Sequence, residues 1–214
     1  MYISIEGVIG VGKTSLTRLL QPVFQAEIVL EIFEENPFLG DFYGDRKRYA
    51  FQTQIFFLLS RYRQQCETIP DLLAKGNLIS DYTFEKDAIF AHLNLNGDEL
   101  ETYTLLHEAL AERIHTPDLI VYLRADTNTA MQRIAMRDRS YERNMERNYI
   151  EALIQAYDHF FTEYKGTNVL TIDTTLLDFV ASKDHFNFIT NRIKATLAIP
   201  PYQPELPLQD EMSL

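Results

Sequence analysis

Residues 7–14 read Gly7-Val8-Ile9-Gly10-Val11-Gly12-Lys13-Thr14, the spacing Gly-x-x-x-x-Gly-Lys-Thr of a phosphate-binding loop. Each part has a physical job. The glycines let backbone N–H groups turn toward a polyphosphate, Lys13 offers a cation to the β and γ oxygens, and the Thr14 hydroxyl offers a ligand to Mg²⁺. The flanks fit as well: Tyr2-Ile3-Ser4-Ile5 is a short apolar strand, and the amphipathic run that begins at Ser15-Leu16 aims a helix N-terminus at the anion. Gly7, Gly10, Val11, Gly12, Lys13, Thr14 and Ser15 are therefore the expected contacts of a nucleoside triphosphate.

Working outward, strand patterns recur at Glu27–Glu31, Asn77–Asp81, Asp118–Leu123 and Asn168–Ile172. Helical patterns lie between them. Arg46 to about Thr68 has no Gly or Pro and carries apolar residues in helical spacing, so it predicts one long helix, broken at Pro70 and followed by a short one at Leu72–Gly76. Further helices are predicted at Lys86–Leu93, Gly97–Ile114, Asn128–Arg137 and Met145–Tyr164, with a last one inside Phe179–Leu197. Strand alternating with helix predicts an α/β fold: a parallel five-stranded sheet of the P-loop NTPase type, flanked by helices joined through right-handed crossovers. By analogy with P-loop kinases, the strand of Ile79 is placed beside that of the phosphate loop. Residues 1–199 read as one domain, and the Pro-rich stretch 200–214, without periodicity, as a mobile tail.

Composition narrows the partners. A formal net charge of −11 disfavours a general nucleic-acid or anionic-membrane binder, which needs basic surface. No apolar run approaches the ~18 residues of a membrane span, and Tyr2 enters a strand at once without a signal-peptide pattern, so a cytoplasmic protein is expected. The single cysteine, Cys66, has no partner for an internal disulfide and is expected as a partly buried helix residue.

Against this acidic background five arginines fall between Arg133 and Arg147. Arg133 and Arg137 share a helix face at i, i+4, with Arg139 just beyond. A phosphoryl group in transfer spreads charge over its equatorial oxygens, and arginines that close on it stabilise that charge and exclude water. Residues 137–146 are thus expected to form a lid. No Asn-Lys-x-Asp guanine reader occurs, which disfavours a switch GTPase.

Taken together, Gly7–Thr14, Glu31 with Asn36-Pro37-Phe38-Leu39, Phe42-Tyr43, Tyr49–Gln54, Leu59-Ser60-Arg61, Asp81-Tyr82-Thr83, Ile89-Phe90-Ala91 and Arg133–Arg139 resemble the deoxyribonucleoside kinase family, most closely its bacterial deoxyguanosine and deoxyadenosine kinases. The resemblance implies transfer of the ATP γ-phosphate, with Mg²⁺, to the 5′-OH of a purine deoxyribonucleoside, deoxyguanosine first. It implies Glu31 as general base, ahead of Glu34 and Glu35, and Thr14 with Asp81 at the metal. Gln54, Arg61 and, with a one-residue shift in spacing, Asp87 would read the base. Tyr43 and Glu142 would hold the sugar 3′-OH, and Phe51, Phe84 and Phe90 would wall the base. A homodimer through Arg46–Thr68 and Gly97–Ile114 is also implied.

One departure matters. Many relatives follow the acid of the third strand with arginine, whereas this chain has Asp81-Tyr82, which would leave the charge beside the base and the phosphate to the lid. Two rivals share these motifs: a nucleoside monophosphate kinase of the thymidylate type, which needs a further cation for the acceptor's own phosphate, and a non-catalytic scaffold member of the family.

Overall fold

Every residue of Tyr2–Gly7 is buried, so this strand, β1, must lie inside a sheet covered on both faces. In the computed structural model, which describes residues 1–33, 35–143 and 145–199, β1 is the central strand of five. β3 (Asn77–Ser80) and β4 (Leu119–Arg124) flank it, with β2 (Ala26–Val29) and β5 (Val169–Asp173) outside them, all parallel. Ile3 pairs with Ile79, which puts that strand beside the phosphate loop's own, as expected.

Parallel neighbours need crossovers, and helices supply them. These are α1 (Lys13–Phe24), α2 (Leu39–Gly44), α3 (Arg46–Arg63), α4 (Ile69–Leu73), α5 (Lys86–Asn94), α6 (Gly97–Ala111), α7 (Thr127–Arg137), α8 (Arg147–Glu163) and α9 (Lys183–Thr196). Leu16 and Leu20 of α1, Ile150, Leu153 and Tyr157 of α8, and Ile189 and Ile193 of α9 join Ile3, Ile5 and the β4 side chains in one core. A smaller cluster of Tyr2, Val29, Ile69, Leu78 and Tyr82 sits against α4. Because the strands run one way, the loops that follow them gather at one edge, where open α/β sheets take their ligands.

Two boundaries and the burial of one residue differ from expectation for physical reasons. β2 ends at Val29 rather than Glu31, because the Glu31 N–H donates to Asp81 Oδ1 at 2.7 Å instead of to a neighbouring strand. Pro70 does not end the long helix. A π-helical stretch, Gln64–Thr68, leads α3 into α4, where Pro70 sits in the first turn and its missing N–H has no helical partner to lose. Within that stretch Gln64 and Gln65 take the inward positions, so Cys66 is exposed and not partly buried as expected. No helix among the described residues is long and apolar enough to cross a membrane. The expected tail, 200–214, lies outside the described residues.

Candidate active site

The phosphate loop holds the shape its glycines predict. Gly10 (φ +84°) and Gly12 (φ +106°) are left-handed, and a Cβ would come within 2.7 Å of Ile134 Cγ1 at the first and 2.8 Å of the Phe179 ring at the second. Lys13 Nζ donates to the carbonyls of Gly7 (2.6 Å) and Val8 (3.2 Å), so the ammonium lies over the loop. Burial, reinforced by the nearby Lys86 ammonium, lowers its pKa to about 8. Beneath the loop the buried Glu6 carboxylate accepts from the N–H groups of Gly7 and Thr83, each at 2.8 Å, and from the Tyr157 hydroxyl at 3.0 Å.

Asp81 joins the phosphate side to the acceptor side. Its Oδ2 accepts from the Thr14 hydroxyl at 2.5 Å, while its Oδ1 takes the Glu31 N–H. Burial pushes the Asp81 carboxyl up, and the Thr14 hydrogen bond works against that. Glu31 is clamped by two cations: Arg61 Nη2 pairs with Oε1, and Lys86 Nζ lies 2.8 Å from Oε2. Burial would raise its pKa, but Lys86 and Arg61 outweigh it and hold the carboxyl well below the usual range. Of the rival acids, Glu35 is exposed and Glu34 lies outside the described residues.

Gln54 and Arg61, seven apart on α3, are both buried and line one cavity, as their shared face predicts. Arg61 extends its other nitrogen to Asp87, which is fully buried in the first turn of α5. Phe57, between Gln54 and Arg61 on the same face, lines the cavity with Phe90. Phe51 and Phe84 do not. Phe84 is turned into the core against His107, ring centroids 4.8 Å apart, and Phe51 packs against the core from α3, so neither walls the cavity as the sequence implied.

The arginine-rich segment divides in two. Arg133 is committed to the frame: its terminal nitrogens donate to the carbonyls of Val11, Thr174 and Leu177 and to the Thr174 hydroxyl, at 2.9–3.1 Å. That makes it a brace between α7 and the loops after β1 and β5 rather than a closing charge. Arg137 instead pairs with the buried Glu142 through Nη2 (2.7 and 2.6 Å to the two carboxylate oxygens) and Nε (3.2 Å), and Arg139 lies 3.7 Å from the same carboxylate and over the Phe33 ring. Glu142 thus faces arginines, while Tyr43 stacks on Tyr141, nearly parallel at 6.1 Å; all three residues line the cavity. The cavity holds about 920 Å³ and reaches from Lys13 and Thr14 past Glu31 to Gln54, with a further wall of α7 and residues 175–181.

Several of these groups escaped the sequence. Phe57 had a signal, its i+3 and i+4 spacing to Gln54 and Arg61. Lys86 had none, because a lysine opening a helix looks like solvated surface. Its position corrects the expectation that the Asp81-Tyr82 departure leaves the charge near Glu31 to the lid: Tyr82 is buried in the smaller cluster, and Lys86 supplies the charge from α5.

Known proteins agree with this architecture. The family model for deoxynucleoside kinases matches residues 3–198, so the chain belongs to the deoxynucleoside kinase family and is a phosphotransferase with an alcohol acceptor. It is 36% identical over 198 residues to a deoxyguanosine kinase of Bacillus subtilis, covering 90% of this chain and 96% of that one. A deoxyadenosine kinase of Dictyostelium discoideum is 35% identical over 167 residues, 76% of this chain and 67% of the relative. Among solved structures, a deoxyadenosine kinase from M. mycoides with dCMP and dCDP bound superposes with a TM-score of 0.79 at 29% identity, over 92% of this chain and all of that one.

Proposed function

We propose that this protein transfers the γ-phosphate of ATP to the 5′-OH of a purine deoxyribonucleoside, deoxyguanosine before deoxyadenosine. The carrying observation is Asp81, whose two carboxylate oxygens tie the Thr14 hydroxyl to the Glu31 backbone and so set the phosphate loop and the acceptor base at a fixed separation. The purine preference rests on the named activities of the relatives above.

Gly10 and Gly12 leave the loop backbone open to a triphosphate, and Lys13 takes its β and γ oxygens, with Ser15 at the helix N-terminus. Thr14 and Asp81 fit Mg²⁺, which is bound through one or two protein oxygens together with phosphate and neutralises charge on the transferring group when bound. Glu31 orients the 5′-OH and takes its proton. Gln54 presents donor and acceptor to the base edge, and the Arg61–Asp87 pair fixes the guanidinium beside it. Tyr43 and Glu142 hold the sugar. Arg137 and Arg139 exchange Glu142 for phosphate oxygens and close residues 137–146 as a lid.

We place the protein in the cytoplasm as a homodimer, residues 1–199 forming the catalytic domain. The exposed Leu59 on α3 and Leu105 on α6 support the helix faces assigned to the dimer. The experiment is a panel of the common nucleosides and their monophosphates with labelled ATP. Deoxyguanosine should turn over fastest, and exclusive use of a monophosphate acceptor would refute the proposal.

A further inference from the structure

Glu6 is the single charged residue of β1, and it is 0% exposed. Burying a carboxylate carries a penalty that a cation or several donors must offset, and no cation pairs with this one among the described residues. Donors hold it instead, and they divide between its two oxygens. Oε1 accepts the Gly7 N–H at 2.8 Å and the Tyr157 hydroxyl at 3.0 Å, while Oε2 accepts the Thr83 N–H at 2.8 Å and the Thr83 hydroxyl at 3.2 Å. The register of the sheet shows why this matters. β1 and β3 pair only as far as Ser4 and Ser80, after which the chain leaves β3 and the Asp81 N–H turns to the Val29 carbonyl of β2. Beyond that point Glu6 does the joining, with one oxygen on the residue that opens the phosphate loop and the other on Thr83, which leads into α5. The tie runs further, because the Thr83 hydroxyl accepts the Lys86 N–H at 3.3 Å and Lys86 Nζ lies 2.8 Å from Glu31 Oε2.

We propose that Glu6 is a positioning residue for phosphoryl transfer: it fixes how far the phosphate loop stands from the Glu31 side of the site. This rests on Glu31 being the acceptor base and the phosphate loop the seat of the donor. Asp81 makes a second tie between the same two sides, but it lines the cavity, and its bond to the Thr14 hydroxyl lies where Mg²⁺ is assigned. That bond is open to exchange when metal and triphosphate enter. Glu6, Gly7, Thr83 and Tyr157 lie outside the cavity wall, so substrates leave their hydrogen bonds in place. The Glu6 tie therefore persists through a turnover in which the Asp81 tie changes partners. Its chemistry suits the task, since a carboxylate presents two oxygens at a fixed separation, and hydrogen bonds to an ionised acceptor are shorter and stronger than neutral ones. In-line transfer needs the hydroxyl oxygen about 3–3.5 Å from the phosphorus, and a misplacement of about 1 Å is worth ~10²-fold in rate.

The test is steady-state kinetics of Glu6→Gln, Tyr157→Phe, Thr83→Val and Thr83→Ser, each rate normalised to folded enzyme by counting triphosphate sites in a calorimeter. Glu6→Gln keeps the shape but replaces one acceptor oxygen with an NH₂ group, which cannot accept the N–H of Gly7 or of Thr83, so one side comes loose. Its kcat should fall ~10–10²-fold with the KM of donor and acceptor each within about threefold, because the substrates bind as before and meet out of line. Tyr157→Phe takes a hydrogen bond from the same carboxylate but frees neither loop. It should lower Tm and keep kcat within about threefold of wild type. Thr83→Val breaks the hydroxyl link to Lys86 and should lower kcat ~3–10-fold, and Thr83→Ser, which keeps the hydroxyl, should recover most of that loss. A kcat for Glu6→Gln within about threefold of wild type, an equal fall in Tyr157→Phe, or a rise in donor KM that accounts for the whole loss overturns the proposal. Should Glu6→Gln fail to fold, the Thr83 variants decide, and equal kcat in Thr83→Val and Thr83→Ser overturns it. Glu31→Gln separates the two ideas. Full turnover there removes the base assignment itself, whereas loss there beside wild-type kinetics in Glu6→Gln removes only the role of Glu6.

Discussion

Two ionic clusters line the same cavity, and they are held in different ways. In the first, Glu31 sits between Arg61 and Lys86, with Asp87 behind Arg61; the cations and Asp87 are 0–5% exposed and are fixed by α3 and α5. In the second, Glu142, only 4% exposed itself, sits between Arg137 and Arg139, whose side chains are 35% and 29% exposed, where α7 passes into the link to α8. Removing one partner of a buried pair costs ~3–5 kcal/mol, whereas a solvent-screened pair contributes ~0–1 kcal/mol. The first cluster is therefore the more firmly held of the two. We propose that Arg137 and Arg139, which water reaches, are the cations that turn to an incoming phosphate.

The largest effect that tests this contrast is Glu31→Gln, which should lower kcat by ~10²–10⁴-fold while calorimetry still detects nucleoside binding. Near-normal turnover would move the chemistry away from the anchored cluster. Next, Arg61→Met should destabilise the fold by ~3–5 kcal/mol in urea unfolding, because it strands the fully buried Asp87 and leaves Glu31 with Lys86 alone. Arg137→Met should cost less, about 1–3 kcal/mol, on the same curves, because Arg139 stays beside the buried Glu142, yet reduce kcat by ~10²-fold. Equal stability losses in the two variants would erase the distinction between fixed and moving cations.

A smaller effect concerns pH. Lys13 ionises at about 8 instead of its usual 10.5, so between those values the free folded protein carries fewer protons than the unfolded chain, and this group's contribution to stability rises with pH across the window. A bound triphosphate restores the ammonium. Donor binding should then take up a proton above pH about 8, and donor affinity should fall there by up to ~10-fold per pH unit, read by calorimetry in buffers of different ionisation enthalpy. Affinity that is flat to pH ~10 would show that the lysine stays charged. The smallest effect is expected from Arg143→Gln: its pair with Asp138 is more than half exposed on both sides, so kcat and Tm should not change.

The two clusters also differed in how far the sequence revealed them. Lys13, Thr14, Asp81 and Glu31 each follow a strand or open a helix, and the parallel sheet brings such positions to one edge whatever the details of packing. Gln54 and Arg61 were legible through helical periodicity. Phe51 and Phe84 were misplaced because periodicity says that an aromatic is buried and not which wall it faces. Arg133 and Arg137 share a helix face and so looked equivalent, yet one reaches backbone carbonyls of two loops and the other a glutamate five residues on.

By itself the sequence determined the alternating fold, the phosphate loop and the edge of the sheet where the chemistry belongs, because those depend on spacing within short segments. Only the tertiary structure decided that Lys86 supplies the charge beside Glu31, that Arg133 is a brace, and that Glu6 underpins the loop. Each of these depends on which side chains meet across 41 to 151 residues of chain, as in the links of Arg133 to Thr174 over 41, Lys86 to Glu31 over 55 and Tyr157 to Glu6 over 151. Such meetings are fixed by packing of α5 and α8 onto the sheet, which no local pattern encodes.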